Sequence, residues 1–174
     1  MGRDLSPLEL IHFDLCGMNG ELTKGGKRYF MTFIDDGTRF CHVYLLKSKD
    51  EVLHYFKIYK AKVENQLEKT IKWLQSNHGG QYLSKEFSEF SAKHGIIHER
   101  TPPYSPQSNR ITERKNHTLT DLVNAILETA GLSKEWWGEA ILTACHVLNR
   151  VPTKNKQITP FEEWEKNRLN LSYL

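Results

Sequence analysis

The fold of this chain is decided by its stretch Trp73–Glu113, which reads WLQSNHGGQYLSKEFSEFSAKHGIIHERTPPYSPQSNRITE. A short apolar run at 71–74 leads into Asn77 and a pair of glycines. That pattern is typical of a buried strand ending in a loop where the backbone approaches another group closely. A rigid proline-rich segment at 101–106 then leads into a helix that opens near Glu113. A strand end and a helix start are therefore predicted to deliver two polar side chains, Asn77 and Glu113.

A third polar residue, Asp14, lies in an apolar run near the start of the sequence. Apolar runs bounded by turn residues predict strands at 8–15, 29–34, 40–46 and 70–75. The turn signal Asp35–Thr38 makes the second and third strands a hairpin. Helical spacing of apolar residues predicts a helix at 49–67. Because this helix supplies the crossover, the strand at 70–75 should run parallel to the first.

The second half of the chain is predicted to be mainly helical. Ser84 is the expected N-cap of a short helix that ends at Gly95, and a strand follows at 96–100. From position 112 an apolar stripe with helical spacing predicts a long helix ended by Gly131. The stripe consists of Leu119, Leu122, Val123, Ile126, Leu127 and Ala130. Further helices are predicted from Ser133 to about Pro152 and at 159–164.

Composition favours one folded domain. The 174 residues are 39% hydrophobic and 26% charged, and the net charge of +3 is too small to establish a nucleic-acid partner by itself. Three cysteines, Cys16, Cys41 and Cys145, without a CxxC pair, favour reduced thiols in an intracellular setting. No apolar run is long enough to span a bilayer, so no membrane partner is expected.

Two motifs carry a resemblance to a known family: PYSPQSN at 103–109 and ERKN at 113–116. With Asp14 upstream, they resemble the integrase catalytic core of copia-type LTR retrotransposons, a relative of retroviral integrases. That family has an Asp on the first strand, a second Asp in a Ser-Asp-Asn-Gly-Gly-Glu run, and a Glu separated from it by thirty-five residues. Asn77 and Glu113 occupy the last two positions, since 113 − 77 = 36 leaves thirty-five residues between them.

The resemblance extends from about Leu5 to Leu174 and implies an α/β, ribonuclease H-like fold. The expected five-stranded mixed sheet has three antiparallel strands followed by two parallel ones, flanked by helices. We expect a linker at 1–6, the catalytic core at 7–150, and a C-terminal extension with a short helix at 151–174.

The chain departs from the family pattern around its central acidic residue. Asn77 stands in place of the second Asp, and the departures nearby are His78, Gln81 and the pair Asn109-Arg110. One of three metal-ligand carboxylates is therefore an amide. His78 is a poor substitute, because neighbours on a strand point to opposite faces and imidazole suits zinc or copper better than Mg²⁺. Asp35 and Asp36 are alternative donors, although their turn is a sufficient explanation for them.

The resemblance implies transfer of DNA strands with two Mg²⁺ or Mn²⁺ ions held by oxygen ligands. Asp14 would bridge both ions, the residue at 77 would complete the first site, and Glu113 the second. These three are the predicted catalytic and metal-binding residues. Because an amide brings no negative charge, the first ion should bind poorly and catalysis should be impaired.

The predicted partner is DNA, both the ends of the element and the target. Basic residues gather at the start of the helix that bears Glu113, and in this family that region lies along the DNA. The candidate contacts are Arg110, Arg114, Lys115 and His117. Arg110 replaces a small residue, so it either adds a phosphate contact or blocks the loop. A further set of candidate basic contacts consists of Lys24, Lys27, Arg28 and Arg39.

The resemblance also implies a homodimer or a higher oligomer, with Trp136, Trp137 or Trp164 in the core or at a subunit contact. Because the resemblance implies DNA integration, we expect the chain to act in the nucleus. Three functions remain open: a weakly active recombining enzyme, a catalytically dead nucleic-acid-binding module, and a dimerising scaffold. Metal titration separates the first from the other two, and salt-dependent DNA binding separates the second from the third.

Overall fold

The computed structural model describes residues 4–76, 83–100 and 110–167. These residues form a five-stranded sheet with strand order β3-β2-β1-β4-β5. Its strands are β1 (Leu10–Gly17), β2 (Tyr29–Asp35), β3 (Cys41–Leu46), β4 (Trp73–Ser76) and β5 (Ile97–Arg100). β1, β2 and β3 form an antiparallel meander, whereas β4 is parallel to both β1 and β5. The predicted mixed sheet, three antiparallel strands and then two parallel ones, is confirmed.

The first strand begins two residues later than predicted. Leu8 has a left-handed backbone with φ of +66°, so the chain turns there instead of extending. Its N–H donates to the Asp35 carboxylate at 2.8 Å. β4 also begins late, since the Ile71 N–H donates to the Glu64 side chain at 2.9 Å. In both cases a side-chain acceptor takes an amide that the apolar pattern assigned to a strand.

Five α-helices surround the sheet in the described part of the chain. They are α1 (Val52–Leu67), α2 (Lys85–Lys93), α3 (Arg110–Ala130), α4 (Trp137–Leu148) and α5 (Pro160–Glu165). Ser84 caps α2 as predicted, because its hydroxyl accepts the Phe87 N–H at 3.1 Å. Gly95 and Gly131, with φ of +68° and +64°, follow α2 and α3 in the left-handed conformation that glycine tolerates. None of these helices is long and apolar enough to cross a membrane.

The two faces of the sheet are covered by different helices. One face packs Phe13 and Phe33 against Phe56 of α1 and Phe87 of α2. The other packs Phe30 and its neighbours against α3 and α4. Most of the predicted stripe of α3 faces this second layer; its last member, Ala130, is exposed because the helix ends there. The alternation of side chains along β1 therefore directs Asp14 towards α3.

Of the four tryptophans, Trp137 and Trp164 lie in the core, whereas Trp73 is exposed. Trp137 and Trp164 are each 1% exposed, and the Trp164 ring stacks on Phe40 with centroids 5.0 Å apart. Trp136 is half-buried. Because Trp164 lies on α5, the segment after position 150 contributes directly to the main core cluster.

Candidate active site

Asp14 lies on β1, opposite Thr32 of β2, and is half-buried. One of its carboxylate oxygens accepts the Leu15 N–H at 2.9 Å. The other, Oδ2, accepts a hydrogen bond from the Asn116 carboxamide at 3.0 Å. The central strand therefore presents a carboxylate whose orientation is set by its own backbone and by α3.

Asn116 is a site residue to which the sequence pattern assigned no role. It is 8% exposed, and its carboxamide oxygen accepts the Thr32 hydroxyl at 3.1 Å while its amide group donates to Asp14. One buried side chain thus connects β2, α3 and β1. A signal was available: Asn116 is a polar residue on the inward stripe that continues through Leu119 and Val123. A buried polar residue in such a stripe requires a partner.

Cys16 completes the surroundings of Asp14 on β1. Its thiol donates to Asp14 Oδ2 at 3.6 Å and accepts from Asn116 at 3.2 Å. Burial, and then the adjacent Asp14 charge, raise the pKa of the Cys16 thiol. It therefore remains a protonated, neutral donor. The three groups that donate to Asp14, on Leu15, Cys16 and Asn116, are all neutral.

Glu113 lies in the first turn of α3 and is exposed. It precedes Asn116 by three residues, and side chains at that spacing are roughly 5–6 Å apart at Cβ. The residue that contacts Asp14 is therefore one helical turn from Glu113. Asn77 lies outside the described residues. The residue before it, Ser76, ends β4 opposite Phe13, which is the residue before Asp14.

Asp14 and Glu113 supply the charged oxygen donors that Mg²⁺ and Mn²⁺ prefer, so these residues fit a hard divalent cation. In the three described ranges, no three His, Cys, Asp or Glu side chains lie together as a metal-binding group. The remaining family position, Asn77, is outside those ranges.

The alternative donors Asp35 and Asp36 serve the β2–β3 turn. The Asp35 carboxylate is fully buried and accepts both the Thr38 N–H and the Thr38 hydroxyl at 2.8 Å. Asp36 contacts His12 at 2.7 Å and Arg39 at 3.6 Å. Because β1 and β2 are antiparallel, this turn lies beyond Leu10, at the end of β1 away from Gly17.

The four candidate DNA contacts divide into two groups on α3. Arg110, Arg114 and His117 are exposed and fall within an arc of roughly 60°, at about 100° per helical residue. Glu113 borders this basic stripe. Lys115 lies roughly 160° around the axis from Glu113. It is half-buried. The pKa of the Cys145 thiol on α4 is lowered mainly by a hydrogen bond with Cys41, and the charge of Lys115 lowers it further.

Comparisons with known proteins show the family to which the chain belongs. The family described as "Integrase core domain" matches residues 4–106. The chain is 41% identical over 173 residues to the retrovirus-related Pol polyprotein from transposon TNT 1-94 of Nicotiana tabacum, across 99% of this chain and 13% of that polyprotein. It is 33% identical over 158 residues to the transposon RE2 polyprotein of Arabidopsis thaliana, across 90% of this chain and 11% of that one.

Solved structures show the same fold. The HTLV-2 integrase catalytic core domain, in complex with magnesium and in a dimeric form, superposes with a TM-score of 0.68 at 20% identity. The match covers 93% of this chain and 99% of that one. The strand order, the helices on both faces and this likeness define an integrase-type catalytic core of ribonuclease H-like fold. The chain belongs to the integrase core domain family, as the catalytic core of an LTR retrotransposon polyprotein.

Proposed function

We propose that this core carries out DNA integration by metal-dependent polynucleotidyl transfer, with catalysis impaired by the amide at position 77. One observation carries the proposal: Asn116 of α3 holds Asp14 of β1 at 3.0 Å. That contact sets the first family carboxylate beside the helix whose first turn contains Glu113, the third family carboxylate. Membership of the integrase family supports the same class of reaction.

Asp14 and Glu113 would hold the divalent cation, with Asn77 at the remaining ligand position. When bound, Mg²⁺ or Mn²⁺ supplies the positive charge that activates the attacking oxygen and stabilises the leaving one. The magnesium bound by the HTLV-2 core supports this choice of metal. Asn116 acts as a positioning residue, because its carboxamide keeps the Asp14 carboxylate in one orientation through the contact with Thr32.

Asn77 also favours a second function, a nucleic-acid-binding module that no longer catalyses strand transfer. A carboxamide oxygen is a neutral ligand, so the site loses one of the three negative charges that balance the charge of the cations. Such a module would retain the fold and the DNA contacts, and a dimerising scaffold would retain the fold alone. The two differ in whether the core still binds DNA.

We infer that Arg110, Arg114 and His117 form the main phosphate contacts, because they share one exposed face of α3 bordered by Glu113. Lys115, on the other flank, is the weakest of the four candidates. Phosphate contacts of this kind position DNA and carry no sequence information. The partners implied are element ends and target DNA, bound by a homodimer or higher oligomer in the nucleus.

The proposal is tested by strand transfer with labelled duplex ends, using the full-length integrase product with Mg²⁺ and with Mn²⁺. We expect weak activity in the parent, an increase with Asn77→Asp, and loss of residual activity with Asp14→Asn. Arg110→Gly, alone and combined with Asn77→Asp, separates a blocked loop from a missing ligand.

The outcomes separate the candidate functions. If the parent binds DNA without transferring strands, and Asn77→Asp restores strand transfer, the parent is a binding module with one lesion. Full parental activity that Asp14→Asn leaves unchanged would overturn the proposed site. A parent that neither binds DNA nor transfers strands would leave the scaffold as the remaining function.

A further inference from the structure

The loop between β1 and β2 carries basic residues at the same end of the sheet as Asp14. β1 ends at Gly17, paired with Tyr29, and Asp14 is three residues back, about 10 Å along the strand. We define the basic rim as Lys24, Lys27, Arg28 and Lys49. Lys49 belongs to it because β3 ends with Leu46 opposite Tyr29. Arg39, which the sequence grouped with this loop, lies at the opposite turn and contacts Asp36 at 3.6 Å.

Contacts with α4 and the turn before it hold the loop in place. The Trp137 indole N–H donates to the Glu21 carbonyl at 3.0 Å, and the Lys24 N–H donates to the Glu135 carbonyl at 3.2 Å. Gly138 packs so closely on Thr23 that an added Cβ would lie 2.9 Å from the threonine methyl carbon. The loop is therefore a fixed platform for its basic residues.

Aromatic rings hold three of the four cations of the basic rim. The Lys24 ammonium lies 4.2 Å from the Trp136 ring centre, that of Lys27 lies 5.8 Å from Tyr55, and that of Lys49 lies 5.7 Å from Tyr29. Cation–π contacts of this kind hold the side chain without neutralising its charge. The ammonium groups therefore remain available to an anion.

Nearby carboxylates leave most of the basic rim unpaired. Among the described residues, Lys27, Arg28 and Lys49 have no ion-pair partner, while Lys24 lies 4.0 Å from Glu135. The Glu51 carboxylate caps the turn after β3 by accepting the Lys47 and Ser48 N–H groups. A hydrogen bond with Ser48 in the same turn lowers the pKa of the exposed Asp50 carboxyl.

We propose that the basic rim is a second phosphate-binding surface for the DNA backbone, separate from the stripe on α3. It rests on the proposed function, because DNA is the polyanion that such a core would handle. The rim and the stripe lie on different elements near Asp14, so together they would contact a longer segment of DNA than α3 alone. Binding to the rim should be independent of sequence, as phosphate contacts are.

The test is the salt dependence of binding to a labelled duplex, measured by fluorescence anisotropy with the full-length integrase product. Each neutralised phosphate adds about 0.9 to the slope of log affinity against log salt. Lys27→Ala/Arg28→Ala/Lys49→Ala should lower that slope by about 2–3. The matched control Lys62→Ala/Lys69→Ala/Lys72→Ala removes the same charge from exposed positions elsewhere.

A lower slope for the rim variant with an unchanged slope for the control supports the proposal. Equal losses in the two variants would overturn it, because general charge would then explain the binding. An unchanged slope in the rim variant would overturn the rim and leave the proposed function standing. Absence of DNA binding by the parent would overturn both. Thermal melts of each variant verify that a loss of slope is not caused by unfolding. The charge-conserving variant Lys27→Arg/Lys49→Arg should keep the parental slope.

Discussion

The carboxamide of Asn116 donates to Asp14 at 3.0 Å and accepts the Thr32 hydroxyl at 3.1 Å, so a single buried side chain fixes the carboxylate on the central strand. The bond crosses from α3 to β1, between residues 102 positions apart in sequence. It links Asp14 to the helix whose first turn contains Glu113.

Asn116→Ala should destabilise the fold and loosen the site together. Removing the carboxamide leaves the buried Thr32 hydroxyl without this acceptor, which costs about 1–3 kcal/mol. Urea unfolding measures that loss. The matched control Asn124→Ala changes an exposed asparagine of the same helix and should cost within about 0.5 kcal/mol. If the two variants unfold alike, Asn116 has no special role.

The basic stripe of α3, formed by Arg110, Arg114 and His117, should contribute more to DNA binding than Lys115 does. Arg110→Ala/Arg114→Ala should lower the salt slope by about 2, at 0.9 per phosphate. Lys115→Ala should lower it by less than about 0.5, because Lys115 lies on the other flank of the helix. Anisotropy titrations from low to high KCl give all the slopes. A larger effect of Lys115 would reverse the assignment of the DNA-facing side.

His42 should make the fold sensitive to acid. Burial, helped by the charge of Lys62, lowers the pKa of His42 from 6.5 to about 3. Below pH 6.5 the unfolded chain therefore takes up a proton that the folded chain does not, and stability falls as the pH falls. The free energy of unfolding falls by about 1.4 kcal/mol per pH unit at most through this group, and the effect is absent above pH 6.5.

His42→Phe should remove that contribution while keeping an aromatic ring beside Tyr59 and Trp164. Unfolding free energies at several values between pH 7 and pH 4 should show a shallower acid dependence in the variant than in the parent. Replacing the exposed His54 with Gln is the control and should leave the dependence unchanged. Parallel curves for parent and His42→Phe would contradict the assignment.

The strand arrangement could be predicted from sequence because it depends on local patterns. Apolar runs, the turn at Asp35–Thr38 and the cap at Ser84 each act within a few residues, and the crossover rule orients β4. Element ends were less predictable. The strand at Leu8 starts late because Asp35, on another strand, accepts its N–H.

The site was only partly predictable, because its contacts join distant elements. The family motif predicts Asp14 and Glu113 as ligands, and that assignment stays a prediction. The contacts of Asn116 with Asp14 and Thr32 appear only when α3 meets β1 and β2. The same holds for the basic residues. Arg39 and Lys27 are near in sequence, yet the antiparallel path of β2 places them at opposite ends of the sheet.

The central claim is that Asp14 and Glu113 form a cation site weakened by the amide at position 77. The most direct measurement compares thermal midpoints with and without Mg²⁺ for the parent, Asn77→Asp and Asp14→Asn. A cation that binds only the folded state stabilises it by about 2.7 kcal/mol at one hundred times its Kd. The account predicts a small rise for the parent, a larger rise for Asn77→Asp, and none for Asp14→Asn. Equal shifts in all three proteins would contradict it.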